Sequence, residues 1–464
     1  MGVSLESMDI LGTIPQYHII LEAFILAWTT WFIVKKYYNR SGSIPSDDEV
    51  QRKLAEWRPE PLVTNVEEYH GSLHPICITS KVGKMITINR KECLNLGTHN
   101  YLGFLENKEI EDKAISTIKK YGVGSCGPRG FYGTVDVHLE LEERLAIFTG
   151  TEEAVVYSYG FSTVASAIPA YCKRNDIVFV DEKVNFAIQK GLDASRSNVR
   201  YFKHNNINNL EVLLQEQAKK DENNFTKAVR TKRFLIVEGI YANTGTLCPL
   251  PELIKLCRKY KLRLFVDESI SFGTIGNNGR GVTEHFNVPK HEIDLIIGSL
   301  ETALGSIGGF CVGSSFIIDH QRLSGLGYCF SASLPPFLTT SAIKSLDIMT
   351  ENPQLFQKLK ENCLEVDRRL KELESLECSS FPESPVKHLY LKRQLDRAAE
   401  YNTLSTIAEK CMEKKLAVTC PAYLAAEKTL PRHSLKLCIS AVLNRKDIDF
   451  ALQTLETCIM EVIS

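Results

Sequence analysis

The chain has almost no net charge: 55 lysines and arginines stand against 56 aspartates and glutamates in 464 residues, a formal charge of −1. That balance argues against the basic field that holds a polynucleotide or attracts an acidic partner. The sequence also lacks a C-x-x-C pair or a His/Cys cluster at metal-ligand spacing, although fourteen cysteines run from Cys77 to Cys458, so no metal site is expected. Many of those cysteines lie in apolar contexts such as Gly309-Phe310-Cys311-Val312. Such contexts suit buried, reduced thiols and place the bulk of the chain in a reducing cytosol. Internal repeats and low-complexity tracts are missing. What is present is 44% apolar side chains, enough for two packed domains or one large domain with an appendage.

One long apolar run, Tyr17 to Val34, comes close to the roughly 20 residues that a bilayer-spanning helix needs. Trp28 and Trp31 lie inside it, and Lys35, Lys36, Tyr37 and Tyr38 form an aromatic and basic rim. The expectation is a single membrane helix, with residues 1–40 as lumenal tail and helix (about 17–34) and the rest cytosolic, since Lys35, Lys36 and Arg40 favour the inner side. Glu22 and two threonines weaken the hydropathy and leave open an amphipathic helix lying in the membrane interface.

Residues 41–90 are charged and proline-containing and read as a linker and N-terminal arm. Beyond them, Ala154 to Tyr157, Ile177 to Val180, Phe234 to Glu238, Leu262 to Asp267 and Leu295 to Ile297 are short apolar runs alternating with helical stretches. Near-continuous apolar strands between helices predict an α/β domain with a mainly parallel sheet covered on both faces. This large domain is placed at 91–336, and 337–464, beginning with helical stretches at Phe337 to Met349 and Gln357 to Leu373, at a smaller C-terminal α/β domain.

Several motifs follow one another in the large domain. Asn100-Tyr101-Leu102-Gly103 precedes a glycine-rich run from Gly124 to Thr134, and His138 with Leu141-Glu142 follows it. Tyr159-Gly160-Phe161 is a turn at which backbone amides can approach an anion. Val266-Asp267-Glu268-Ser269-Ile270-Ser271-Phe272-Gly273 and Asp294 to Phe310, DLIIGSLETALGSIGGF, complete the series. In this order they resemble the α-oxoamine synthases, fold-type I pyridoxal-phosphate (PLP) enzymes that condense an amino acid with an acyl-CoA. The resemblance implies that Asp267 stands, as a vestige, where an acid pairs with the pyridine nitrogen of the cofactor; a strand-end acid that caps the next element is the other reading of it. It also implies three departures. Thr302 falls where the lysine that binds PLP is found, Ile270 replaces a histidine, and Asn185 replaces the imidazole that stacks on the cofactor ring. A hydroxyl cannot take the place of that amine, and an amide offers no aromatic stacking face.

Two longer runs, Lys120 to Thr134 and His320 to Pro336, extend the likeness to the non-catalytic long-chain-base subunits of serine palmitoyltransferase. What this implies is a required but non-catalytic subunit in the endoplasmic reticulum membrane. Its lysine-bearing catalytic partner supplies PLP, and the two condense L-serine with palmitoyl-CoA to 3-oxosphinganine, CO2 and CoA. Small accessory and regulatory membrane subunits are implied as well. Ser331 and Ser333 match positions whose hydroxyls reach the partner's cofactor phosphate, although turn capping is an equal reading of such residues. Cys126, Arg129, Phe131, Tyr132 and Thr134 become candidates for the interface or substrate channel, with Arg129 as a forked donor for a carboxylate or a CoA phosphate.

Two rivals remain. One is a self-sufficient synthase using another amine, such as Lys190 or Lys232; the other is a scaffold or regulatory pseudoenzyme. His74, His204, His291 and His388 stand alone and read as surface or capping residues. Glu365 to Glu374 reads as a solvated helix face from which Arg368 and Arg369 could meet a partner. The glycines of Gly305 to Gly309 lack the strand, helix and acid of a dinucleotide loop.

Overall fold

A computed structural model describes residues 16–40, 46–62 and 71–463. The chain divides into two compact units, Met1–Tyr69 and His70–Ser464. In the first, the apolar run folds as the helix α1 (Gln16–Arg40), and a second helix, α2 (Asp47–Glu56), starts at Ser46, whose hydroxyl accepts from the Glu49 amide at 3.3 Å. Residues 20–36 of α1 are exposed on every side. Here the spanning expectation is corrected: no helix among the described residues is long and apolar enough to cross a membrane. Thr29 and Thr30 turn their hydroxyls back onto the carbonyls of Ile25 and Leu26, at 2.8 and 2.6 Å, a polar insertion into the apolar surface. The side chains of Tyr17, Tyr37, Tyr38 and Arg40, invoked for the rim and the orientation, lie outside the described residues, as does the N-terminal tail.

The second unit is built on β1 (Met85–Ile88), β2 (Lys91–Asn95), β3 (Glu153–Tyr157), β4 (Ile177–Asp181), β5 (Asn198–Phe202), β6 (Arg233–Glu238), β7 (Arg263–Asp267), β8 (Leu295–Ser299) and β9 (Gly309–Gly313). It continues with β10 (Leu376–Cys378), β11 (Val386–Leu391), β12 (Leu416–Ala417) and β13 (Leu435–Cys438). Strands β3 to β9 form the central sheet in the order β3-β9-β8-β7-β6-β4-β5. Every residue of β4 and β8 is buried, so helices cover both faces, as the continuous apolar runs require. The sheet is mixed, because β9 runs antiparallel to both β8 and β3.

Helices α3 (Lys108–Tyr121), α4 (Asp136–Thr149), α5 (Gly160–Tyr171) and α6 (Phe186–Ser195) follow early strands or the loops between them. Asn107 caps α3 and Asn185 caps α6, each side chain accepting backbone amides of the first turn. The expected arm is partly structured, since β1 pairs with β2, and β12, from the far end of the chain, adds to β2 in parallel. Strands β10, β11 and β13 make a third, antiparallel sheet. The parallel strands end together at Asp181, Glu238 and Asp267, with Ser299 ending β8 alongside, which is where an open α/β sheet receives ligands.

A candidate cofactor cleft and the loop beside it

A cavity of about 330 Å³ opens at those strand ends and is lined by Asn185, Asp267, Ile270 and Thr302 together with His99, His388 and Lys436. Asp267 is 2% exposed and accepts from the Ser269 amide at 2.9 Å and from Asn185 Nδ2 at 2.8 Å. Burial raises its carboxyl above the usual range, against the hydrogen bonds from Ser269 and Asn185 that favour the anion. Glu238 ends the neighbouring strand and accepts the Asn185 amide at 2.6 Å. Burial, and then the charge of Asp267, push Glu238 up to about 8.

Thr302 donates its hydroxyl to the Ser269 carbonyl at 2.7 Å, so no base is placed to activate it as a nucleophile. Ile270 is buried and presents hydrocarbon to the cavity. At the start of α5, the Gly160 amide donates to Glu301 Oε1 at 3.2 Å. The chain therefore answers this helix terminus, an anion-binding position, with its own carboxylate.

Three groups of this cavity were not assigned to it from the sequence. His388, expected at the surface or in a cap, is fully buried: its Nε2–H donates to the Ala242 carbonyl at 3.0 Å, and Nδ1 accepts from Ser434 at 2.8 Å. His99 pairs with the Tyr101 hydroxyl, and its Nε2 accepts from Lys436 Nζ at 3.3 Å. Burial, and then the Lys436 charge, hold both imidazoles at about 3, so both are neutral. Lys436 is the one amine lining the cavity among the described residues. By contrast Lys190 pairs with Asp193 at 3.0 Å on the surface of α6, and Lys232 lies at the opposite end of the sheet. His204 bridges Asp181 and Thr246 at 2.8 and 2.7 Å, and His291, exposed, faces Glu292 at 3.5 Å.

The glycine-rich run forms a loop against this end of the molecule. Arg129 is buried, and its fork meets Glu142 through two bonds of 2.9 Å, while Nε donates to Thr134 Oγ1 at 2.9 Å. Glu142 also accepts the Val156 amide of β3 at 2.9 Å. The expected donor for substrate is thus corrected to an internal anchor, because both faces of its fork are taken. Ser333 is likewise turned inward, donating to the Gly133 carbonyl and, at 3.1 Å, to that of Gly127. Ser331 is half-buried with no hydrogen-bond partner for its hydroxyl among the described residues. Gly133 allows the close approach, for a Cβ there would lie 1.9 Å from the Gly127 oxygen.

Cys126 and Tyr132 hold left-handed backbone, with φ of 66° and 63°. Cys126, Thr134, Phe131 and Tyr132 are exposed, and the Tyr132 side chain stands fully in solvent. Phe330 and Leu326, 71% and 64% exposed, continue this apolar surface, since Ser125 and Ser333 join the loop to the segment that follows them. Arg368 and Arg369 are engaged at home, by Glu365 and Glu372 and by Asp449.

A mixed sheet with a buried aspartate at a strand end, a glycine turn opening a helix beside it, and a C-terminal sheet completing the cleft define the fold of the PLP-dependent aminotransferases. The chain belongs to the class I and II aminotransferase family, whose profile matches residues 91–455, and within it to the group of the long chain base biosynthesis proteins 1 and serine palmitoyltransferases 1. Long chain base biosynthesis protein 1b of Oryza sativa subsp. japonica is 40% identical over 422 residues, 91% of this chain and 85% of that protein. Serine palmitoyltransferase 1 of Dictyostelium discoideum is 40% identical over 451 residues, 95% of this chain and 92% of that protein. Among solved structures, serine palmitoyltransferase of Sphingomonas wittichii shares the fold, with a TM-score of 0.75 at 22% identity over 91% of this chain and 98% of that one.

Proposed function

We propose that this chain is a non-catalytic but required subunit of a serine palmitoyltransferase, the enzyme that condenses L-serine with palmitoyl-CoA to 3-oxosphinganine, CO2 and CoA. The observation that carries the reading is the state of the chain's own cleft. Its groups do not fit PLP: Thr302 offers no amine, the Asn185 amide is bonded to the Asp267 carboxylate, and Glu301 sits on the first amide of α5. The lysine that corresponds to Thr302, and the cofactor with it, belong in this reading to a partner subunit. PLP supplies there an electron sink for the amino-acid carbon that is acylated.

The residues of this chain contribute by shape and position. Arg129, Glu142 and Ser333 hold the glycine-rich loop rigid. Phe131, Tyr132, Phe330 and Leu326 offer the partner an apolar face, with Cys126 and Thr134 beside it, and the free hydroxyl of Ser331 is the group available to the partner's cofactor phosphate. Exposed aromatic anchors on a fixed backbone are what a stable interface uses. The exposed apolar residues of α1, among them Phe24, Trp28, Trp31 and Phe32, support attachment to a membrane surface, in our reading that of the endoplasmic reticulum, with the bulk of the chain cytosolic.

The deciding measurement is CoA release dependent on serine and palmitoyl-CoA, from this chain alone and from the chain co-expressed with a lysine-bearing paralogue. Turnover is expected only from the pair. Turnover by the chain alone overturns the reading and directs the search for an amine to Lys436. The inward-turned Arg129 and Ser333 favour a second reading, in which the chain is a scaffold only. Unchanged turnover of the pair carrying Ser331→Ala and Tyr132→Ala selects that one.

A further inference from the structure

At the opposite end of the central sheet from the cleft, where β6 and β7 begin, a second cavity of about 550 Å³ opens between the end of α5 and the helix Ser315–Ser324. Its size is within the roughly 300–1,000 Å³ of small-molecule sites. The floor is aromatic: Phe265 meets Tyr171 and Phe234 edge to face, each with ring centroids 5.4 Å apart. Phe316, 85% exposed, stands at the mouth with nothing to cover it. An uncovered large aromatic side chain costs solvation free energy that a ligand recovers by covering it.

The rim carries the opposite character. Lys173, Lys232 and Arg263 surround the mouth against a single lining carboxylate, Asp294. Asp294 is taken by Arg263 at 2.8 Å and by the Leu264 amide at 2.8 Å, and Lys173 donates to the Pro169 carbonyl at 2.7 Å. The nearby Asp176 is buried and accepts the backbone amides of Lys173 and Lys232, at 2.8 and 3.1 Å. Lys232 Nζ is left with no partner among the described residues, and no residue of the cleft contributes to this cavity.

We infer that this cavity binds a single-chain amphiphile with an anionic head, its hydrocarbon tail lying on Tyr171, Phe234, Phe265 and Phe316 and its carboxylate or phosphate meeting Lys232. An apolar floor beneath an unpaired cation recognises neither a free ion nor a neutral hydrocarbon, because each satisfies only one half of the site. The site is separate from the cleft and does not depend on the function proposed above.

The experiment uses the full chain and cis-parinaric acid, whose fluorescence rises on entering an apolar site. Saturable binding is expected, with displacement by palmitate and by hexadecyl phosphate; the more effective of the two identifies the preferred head. Lys232→Glu and Phe316→Asp, both at exposed positions, are each expected to weaken binding about tenfold or more. Wild-type binding in both variants assigns the probe to the apolar surface of α1 and overturns the inference. Displacement by inorganic phosphate alone, or equally well by hexadecanol, overturns it too, since the first removes the need for a tail and the second the need for a charge.

Discussion

The cleft at the strand ends and the glycine-rich loop beside it treat their side chains in opposite ways. In the cleft the chain answers itself: Asn185 donates to Asp267, Thr302 to a backbone carbonyl, and Glu301 accepts the first amide of α5. In the loop the polar groups are hidden and the aromatic ones displayed, with Arg129 and Glu142 paired beneath and Phe131 and Tyr132 in solvent. A site that must take a cofactor keeps donors and acceptors open to it. An edge that must take another protein keeps a rigid backbone and uncovered apolar area. In the function proposed above, this chain has closed its own site and kept the edge.

The largest test strikes at the rigidity of the loop. Arg129→Met strands Glu142 in the core without its cation, an arrangement that costs about 3–5 kcal/mol. Urea denaturation should register a loss of that size, and the double replacement Arg129→Met, Glu142→Leu should recover most of it. A loss below about 1 kcal/mol would mean that the pair does not anchor the loop.

Next comes the displayed face. Phe131→Ala and Tyr132→Ala are each expected to weaken association with the proposed lysine-bearing subunit by about 2 kcal/mol. The stability of the chain alone should move by no more than about 0.5 kcal/mol, because both rings are already in water. Sedimentation of mixtures measures the first quantity and thermal melting the second. Association that survives both changes breaks the comparison on the side of the loop.

The third test turns to the cleft. Glu238 titrates near 8 in the folded chain against an ordinary value of 4.5, so between those values the folded form keeps a proton that the unfolded form has lost. The stability it contributes is complete below pH 4.5 and is lost as the pH rises through 8; the raised Asp267 acts with the same sign. Asp267→Asn removes the charge that helps to raise Glu238. The variant should lose less stability between pH 5 and 8, by about 1.4 kcal/mol for each unit its pKa drops. Parallel stability curves for the two proteins would show that the carboxylates are not linked.

Much of this architecture was legible because parallel strands buried on both faces leave unbroken apolar runs; those marking β3, β4, β6, β7 and β8 all became strands. Strand β9 was not legible, since it is a short segment bounded by Gly309 and Gly313 and directly follows the glycines of Gly305 to Gly309. Motifs within one stretch of chain brought Asp267, Asn185 and Thr302 to one cavity. His99, His388 and Lys436 escaped because each reaches the cavity from a different element, the turn after β2, β11 and β13, with no spacing to connect them. The Arg129 pair left a signal that could have been followed. His138, Leu141, Glu142 and Leu145 share the inner stripe of α4, and an acid on such a stripe calls for a buried cation.

The smallest expected effect is also the sharpest on the cleft. Glu301→Gln keeps a hydrogen-bond acceptor for the Gly160 amide and removes only the charge at the start of α5. A carboxylate in that position is worth about 0.3–1 kcal/mol to a helix, so a melting curve should shift little. With the charge gone, the neutral amide competes less well with an outside anion for the terminus. PLP added to the variant should then raise its melting temperature, whereas the unaltered chain, whose own carboxylate competes for the same amide, should show no rise. If PLP stabilises both proteins alike, Glu301 does not close the cleft, and the contrast with the loop rests on Thr302 and the Asn185–Asp267 bond alone.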